Sequence, residues 1–247
     1  MSDPYWSNVV LAMHMDGANN STTFTELKGK TALTSGIVNL TTARFKFGTA
    51  SLQVRKDING SISFANSADF KFGASSLFTL EFYLYVESGY LTNKTFLGKH
   101  VYNSTKAWAI RTGTSNNLTF SVGSSDGYGG SVFSHIITSP SGSLVSGQWQ
   151  HIVVQRKNTS ADGIEMFIDG VLSGSSTSNP DLDAHSPNGN LWIGREDQMI
   201  ASPIEGGFDD LRITKGVTRY TEPFTPPTLA FPDSGVTTNS SSMFLVF

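Results

Sequence analysis

Acidic side chains come nearest, in type and spacing, to supporting chemistry in this 247-residue chain. They gather at Asp16-Gly17, in the loop Asp181-Leu-Asp-Ala-His-Ser-Pro-Asn188, and in Glu205-Gly-Gly-Phe-Asp209-Asp210. Hydrolysis of a glycosidic bond needs an acid and a base or nucleophile at fixed separation, commonly on alternate residues of one strand. Adjacent Asp209 and Asp210 are expected to point to opposite faces, Glu205 lies at the strand's margin, and no Glu-x-Asp-x-x-Glu pattern appears. A glycanase is therefore the minor expectation. The 181–188 loop echoes a calcium loop but lacks the central glycine and terminal glutamate of an EF-hand, so it reads as a solvated loop. His14, His100, His135, His151 and His185 show no zinc-type spacing, and none lies near a Gly-x-Ser-x-Gly elbow. The chain has no cysteine, which removes thiolate metal sites, cysteine nucleophiles and disulfides together. Neither a Walker loop nor a dinucleotide fingerprint is present, and Ser124-Ser-Asp-Gly-Tyr-Gly-Gly130 reads as a glycine loop. On these grounds the expectation is a protein that is not an enzyme.

The elements that must carry these residues alternate apolar and polar side chains over short runs separated by Gly, Asn, Ser and Asp clusters. Candidate strands are 9–14, 36–41, 51–55, 60–64, 78–86, 95–100, 107–111, 118–122, 148–156, 164–169, 190–195 and 207–214, with a short helix at 65–70. Within 78–86, Phe78, Leu80, Phe82, Leu84 and Val86 share one face, and Thr79, Glu81, Tyr83 and Tyr85 share the other. Strand 148–156 alternates similarly, but its pattern does not say which face is inward. Asp169-Gly170 between two apolar runs predicts a tight hairpin. After Val217 the sequence changes: Thr221-Glu-Pro-Phe-Thr-Pro-Pro-Thr-Leu-Ala-Phe-Pro232 is too rich in proline for a central strand, and 233–242 is polar. This divides the chain into a sandwich over 1–216, with a short N-terminal arm, and a Pro/Ser-rich extension over 217–247 that wraps the sandwich or reaches a neighbour. The terminal Met243-Phe-Leu-Val-Phe247 is expected to dock as an edge strand, its alternative being a strand donated to another subunit.

Composition narrows the partners. Charged residues make up 15% of the chain, the formal net charge is −3, and lysine and arginine are scattered singly, so no cationic stripe exists to track a nucleic acid backbone. No apolar run is long enough to insert in a bilayer, and MSDPYWSNVV lacks the basic and apolar regions of a secretion signal. Synthesis in a cytosol is the expectation that follows. Tyr83, Tyr85, Tyr90, Tyr102, Trp108 and Tyr128 fall in or near segments expected to be exposed, where aromatic faces suit sugar rings and protein contacts alike.

Several stretches, taken in order, resemble the laminin-G-like modules of the concanavalin A-like superfamily, as found in bacteriophage tail, fibre and capsid-surface proteins. They are Asp3-Pro-Tyr-Trp-Ser-Asn-Val-Val-Leu-Ala-Met-His-Met-Asp-Gly17, Lys46-Phe-Gly-Thr-Ala-Ser-Leu52, Ser67-Ala-Asp-Phe70, Phe78-Thr-Leu-Glu-Phe82, Gly147-Gln-Trp-Gln-His-Ile152, Phe167-Ile-Asp-Gly-Val171, Leu191-Trp-Ile-Gly194 and Gly207-Phe-Asp-Asp-Leu-Arg-Ile-Thr-Lys-Gly216. The resemblance implies an all-β fold, an antiparallel two-sheet sandwich of jelly-roll type with an extended C-terminal tail. It also implies that the first and last matched strands lie side by side. Asp16 and Asp209 would then share a calcium site, completed by oxygens of Ala18-Asn-Asn-Ser-Thr-Thr23. The competing reading has Asp16 capping a turn and Asp209 pairing with a cation such as Arg212. By the same resemblance the expected function is that of a structural protein on the virion surface, made in the host bacterial cytoplasm and attached to other virion proteins as a capsid decoration or a tail or fibre component. The alternative is a carbohydrate-binding adhesin that recognises host-surface glycans. Modules of this kind are often symmetric, so a homo-oligomer is expected.

Overall fold

The strict apolar alternation of 78–86 requires a layer to bury it, and a second sheet supplies that layer. The computed structural model describes residues 2–55, 60–87, 94–101, 105–125, 131–158, 163–194 and 205–235. Within them the strands are β1 (Val9–Met13), β2 (Leu33–Ser35), β3 (Asn39–Thr41), β4 (Ser51–Val54), β5 (Ser61–Phe64), β6 (Phe78–Val86), β7 (Thr95–His100) and β8 (Lys106–Thr112). The second half contributes β9 (Leu118–Ser125), β10 (Ser131–Thr138), β11 (Trp149–Arg156), β12 (Ile164–Ile168), β13 (Val171–Ser176), β14 (Asn190–Ile193) and β15 (Gly206–Lys215). An eight-stranded sheet runs β13-β12-β11-β6-β15-β4-β3 with β1 also on β15, and a seven-stranded sheet runs β10-β9-β8-β7-β14-β5-β2. Every pairing between these strands is antiparallel.

One core lies between the sheets. Phe78, Leu80, Phe82, Leu84 and Val86 enter it from β6, and Ile152 and Val154 enter from β11, which resolves the inward face of that strand. Trp108, Ile110, Phe120, Leu191 and Ile193 meet them from the opposite sheet. The opening and closing strands pair from Val9↔Thr214 to Met13↔Leu211. Asp169 and Gly170 have φ of 51° and 76°, the signature of a hairpin turn that needs positive φ at both central positions.

Some expectations need correction. The strand foreseen at 36–41 is shortened to β3, and β2, which precedes it in the other sheet, was not foreseen; Gly36 at φ 64° turns the chain from one layer to the other. The helix foreseen at 65–70 is a single 3-10 turn at Ala68–Phe70, capped by the Ser67 hydroxyl accepting from the Asp69 amide. Strand β10 was not foreseen. It is an edge strand with Val132 49% exposed, so the alternation that marks a half-buried strand is blurred.

Residues 217–235 lie across the outer face of the eight-stranded sheet. Gln155 grips Tyr220 through both main-chain groups, the Phe224 amide donates to the Gly170 carbonyl at 3.0 Å, and the Tyr83 hydroxyl donates to the Pro227 carbonyl at 2.6 Å. The N-terminal arm closes over the far end, where the Asp3 amide donates to the Ser234 carbonyl at 2.8 Å. The N-terminal arm and residues 217–235 are thereby drawn to one face. The segment Met243-Phe-Leu-Val-Phe247 lies outside the described residues.

Candidate functional site

The site is built where β1 meets β15. Phe208 and Leu211 both face the core, so the two residues between them both lie away from it. A bulge interrupts the β15–β6 register between Asp209 and Arg212, and Asp210 takes a φ of 49°. The expectation that Asp209 and Asp210 point to opposite faces is thus wrong: the extra residue of the bulge swings both to the outer side. They then diverge. Asp209 Oδ2 accepts from the Lys46 and Phe47 amides at 2.6 and 3.1 Å. Asp210 Oδ1 lies 2.5 Å from His14 Nδ1, and its Oδ2 accepts from the Phe231 amide of the tail at 2.5 Å.

Asp16 sits across the same loop. Its Oδ1 accepts from the Thr49 and Ala50 amides and the Thr49 hydroxyl at 2.5 to 3.2 Å. Gly48 between these contacts has φ 62°, and a Cβ there would come 2.2 Å from Asp16 Oδ1. The glycine is needed both for its conformation and for that close approach. Asp16 and Asp209 therefore hold the two halves of the Lys46–Ala50 loop. Asp16 does cap a turn, but Asp209 does not pair with Arg212. Asp209 Oδ1 is buried with no hydrogen-bond partner. Burial, against the pull of the Phe47 and Lys46 amides and with the charges of Asp210 and Asp16, raises its carboxyl to about 7. Among the described residues there is no group of three or more His, Cys, Asp or Glu able to hold a metal. A calcium ion at Asp16 and Asp209 would have to draw its remaining oxygens from main chain and water.

Arg212 belongs to a buried cluster under the tail. Its Nε donates to Glu81 Oε1 and its Nη1 to Asp3 Oδ2, both at 2.9 Å. Arg219 of the tail donates to both Asp3 oxygens, and the Tyr220 hydroxyl donates to Glu81 Oε2 at 2.7 Å. Burial pushes Glu81 upward, but the Arg212 charge, with His151 and Arg219 beside it, more than offsets this and leaves the carboxyl at about 2. Glu81 and His151 are both fully buried. This cluster pins the tail to the sheet and closes these side chains to any substrate.

Above the β1–β15 junction the tail leaves an open cleft of about 680 Å³, within the ~300–1,000 Å³ range of small-molecule sites. His14, Asp16 and Arg212 form its floor, and the run from Thr225 to Asp233 forms its wall. His14 keeps 24% of its side chain exposed. Its pKa is raised by the hydrogen bond to Asp210, against burial and helped by the charges of Asp210, Asp16 and Asp233. Sequence reasoning singled out Asp16 and Asp209 but not His14, which it set aside for want of zinc-type spacing, nor Asp233, which opens a stretch read only as polar. Only the tail's path brings Asp233 to the strands, and nothing local in the sequence encodes that path.

The acidic loop at 181–188 is solvated only in part: Asp181, Ala184, Pro187 and Asn188 are exposed, but Asp183 is held inward. Asp183 accepts from the Phe72 and Gly73 amides at 2.7 and 2.8 Å and from Lys99 Nζ at 2.8 Å, and Lys99 is fully buried. Among the aromatic candidates, Trp108 is core and Tyr83 lies beneath the tail, while Tyr85 packs edge-on to Trp149 at 5.6 Å. Tyr90, Tyr102 and Tyr128 lie outside the described residues, as does most of the 124–130 glycine loop.

Fold and site together define a two-sheet antiparallel sandwich that presents a cleft between its joined end strands and its own tail. The chain belongs to the concanavalin A-like lectin/glucanases superfamily, whose laminin-G-type profile matches residues 56–221. Among solved structures it is similar to the binding domain of Paraclostridial mosquitocidal protein 1, at 16% identity and TM-score 0.64, covering 87% of this chain and 50% of that one. Domain 4 of the extracellular arabinanase AbnA from Geobacillus stearothermophilus, in complex with arabinotriose, matches at 15% identity and TM-score 0.60 over 85% of this chain and 93% of its own. A structure of botulinum neurotoxin type C, a toxin whose cell entry depends on interaction with two ganglioside molecules, matches at 15% identity and TM-score 0.55, covering 85% and 48%. The chain thus spans about half the length of the toxin structures. At such identities the likeness is one of fold. No curated protein matches the chain in sequence.

Proposed function

We propose that the chain is a non-enzymatic recognition module that binds a glycan on a cell surface, carried on a bacteriophage particle. The observation that carries this reading is the cleft of about 680 Å³ at the β1–β15 junction, open to solvent and walled by the tail. A binding role is supported by the structural neighbours, which include toxin binding domains and an arabinanase domain holding arabinotriose. The non-enzymatic part is supported by the carboxylates themselves. Glu81 is sealed by Tyr220 and Arg219, Asp209 holds amides of the 46–50 loop, and Asp210 holds His14 and the tail. Binding of the full chain to a glycan array, specific and saturable, tests the reading, and consistent silence across the array refutes it.

Placement on the virion surface, as a capsid decoration or a tail or fibre component attached through protein contacts, rests on the sequence resemblance. Detection of the chain in purified particles by mass spectrometry tests it. Homo-oligomerisation is part of the same proposal, since repeated copies let weak single-site contacts add. Calcium is its remaining part. The unpartnered Oδ1 of Asp209, crowded by the Asp16 and Asp210 charges, would gain from a hard cation. Calcium should then raise the melting temperature and a chelator should reverse it, while an unchanged melting curve removes the ion from the proposal.

A further inference from the structure

We propose that the cleft at the β1–β15 junction accepts an amino sugar carrying a free ammonium group. The inference rests on the glycan-recognition reading above and names the chemistry that reading leaves open.

The charges around the cleft do not cancel. Arg212 is the one permanent cation among its lining residues. Its guanidinium is committed to Glu81 and Asp3 and sits over the Phe231 ring, 4.0 Å from the centroid. His14 Nδ1 faces Asp210 Oδ1 at 2.5 Å, so that carboxylate oxygen already has its partner. Asp16 and Asp233 remain. Asp16 gives its Oδ1 to the Thr49 and Ala50 amides and keeps an exposed edge. Asp233 is exposed and makes no hydrogen bond or ion pair. The cleft therefore offers carboxylate oxygens that only a donor, and best a cation, can satisfy.

The wall is of the other kind. Pro226, Pro227 and Leu229 present rigid or aliphatic carbon, and Leu229 is 63% exposed. Pro227 is fixed in place by the Tyr83 hydroxyl on its carbonyl. A ligand that suits both surfaces has a compact body with an apolar face and a cationic group at one edge. A hexosamine has that form: its ring C–H face can lie on the proline wall while its ammonium donates to Asp233 and Asp16. N-acetylation would remove the charge and two of the three donor hydrogens and add bulk, so the acetylated sugar is the discriminating control. Acidic sugars would meet two carboxylates and be excluded.

The test uses the full chain and isothermal titration at low ionic strength, with glucosamine oligomers and N-acetylglucosamine oligomers of equal length. The expected result is binding of the free-amine oligomer that is roughly tenfold tighter than that of its acetylated counterpart. Asp233→Asn should weaken it by about the same factor, since the side chain holds nothing in the fold. Leu229→Arg should abolish binding by placing a fixed cation in the cleft, while Glu222→Gln, elsewhere on the tail, should bind as the parent does. Melting curves matching the parent confirm that the variants fold. Equal binding of both oligomers, or binding indifferent to Asp233→Asn and Leu229→Arg, overturns the amino-sugar site while leaving glycan recognition standing. Comparable binding of polylysine with the same dependence on Asp233 overturns the sugar in favour of a basic peptide. Failure of every glycan on an array refutes the recognition reading, and this proposal with it.

Discussion

Replacing Arg212 by methionine tests whether the buried cluster beneath the tail holds the N-terminal arm and residues 217–235 to the sheet. Arg212 is 5% exposed and reaches both Glu81 and Asp3, which are themselves almost completely buried. Removing one partner of a buried ion pair costs about 3–5 kcal/mol, because the remaining charge is stranded. The lower end applies here, since Arg219 still reaches Asp3 at 2.8 Å and Glu81 at 3.3 Å. The Glu81 carboxyl, at about 2 against its ordinary 4.5, reports the combined pull of Arg212, His151 and Arg219 net of burial, worth roughly 3 kcal/mol at about 1.4 kcal/mol per tenfold. For a chain of 247 residues such a loss lowers the melting temperature by roughly 6–12 °C. The pKa of Glu81 is depressed by folding, so its contribution is complete above 4.5 and is lost as the pH falls toward about 2. In Arg212→Met the carboxyl loses its strongest cation and protonates at higher pH, so the difference between parent and variant should narrow through that window. Urea titrations from about pH 7 down to about pH 3, followed by two spectroscopic probes, measure both effects. A loss below about 1 kcal/mol at neutral pH, or a difference that stays constant with pH, would refute the assigned role. The double variant Glu81→Gln/Arg212→Met should recover part of the loss, since no bare carboxylate is then left behind.

Three further perturbations separate the parts of the fold. Gly170→Ala places a methyl group 1.8 Å from the Phe224 carbonyl at a φ of +76°; it should cost roughly 2–3 kcal/mol in a urea titration, and a neutral result would mean the hairpin does not carry the tail. Lys99→Met strands Asp183 and the Ser186 carbonyl in a buried setting, so a loss of roughly 3 kcal/mol is expected, whereas a freely solvated loop would register almost nothing. Deleting residues 217–247 uncovers Tyr83, His151, Val153 and Phe167, each at most 1% exposed in the intact chain; hydrophobic-dye binding should rise and the melting temperature fall, and an unchanged dye signal would show that the tail does not cover the sheet.

Much of the sandwich was legible because it follows from local rules. Alternation in Phe78–Val86 fixed one inward face, and Asp169-Gly170 fixed a hairpin, since both signals are complete within a few residues. The errors fall where long-range packing decides. Whether Trp149–Arg156 buries Ile152 or His151 depends on the tail, which makes the outer side of that strand nearly as dry as the inner one. The bulge at Asp209–Asp210 is one residue inserted against β6, and period-two reasoning has no term for it. Asp183 looked like a solvent-facing acid because its partner, Lys99, is 84 residues away in sequence. The pairing of Asp16 with Asp209 was half legible. Proximity of Asp16 and Asp209 followed once β1 and β15 were placed side by side, but the amides of Lys46–Ala50 that occupy both carboxylates are contributed by a third segment.

The tail therefore has two consequences that cannot be separated by inspection of either segment alone. It completes the burial of a charged sheet face, and in doing so it sets the position of the proline wall opposite Asp16 and His14. Asp210 links the two: one carboxylate oxygen holds His14 on the cleft floor and the other holds the Phe231 amide at the end of the wall. Floor and wall are thus referenced to a single bulged residue, so cleft width follows the β15 bulge rather than the flexibility of a loop. Weakening the anchor beneath the tail should for that reason lower ligand affinity even where no altered residue touches the cleft. Arg219→Met, which removes contacts to Asp3 and Glu81 outside the cleft lining, should reduce binding along with stability, while Lys99→Met, in the other sheet, should reduce stability alone. Binding that tracks global stability equally in both variants would break the link between tail registration and recognition.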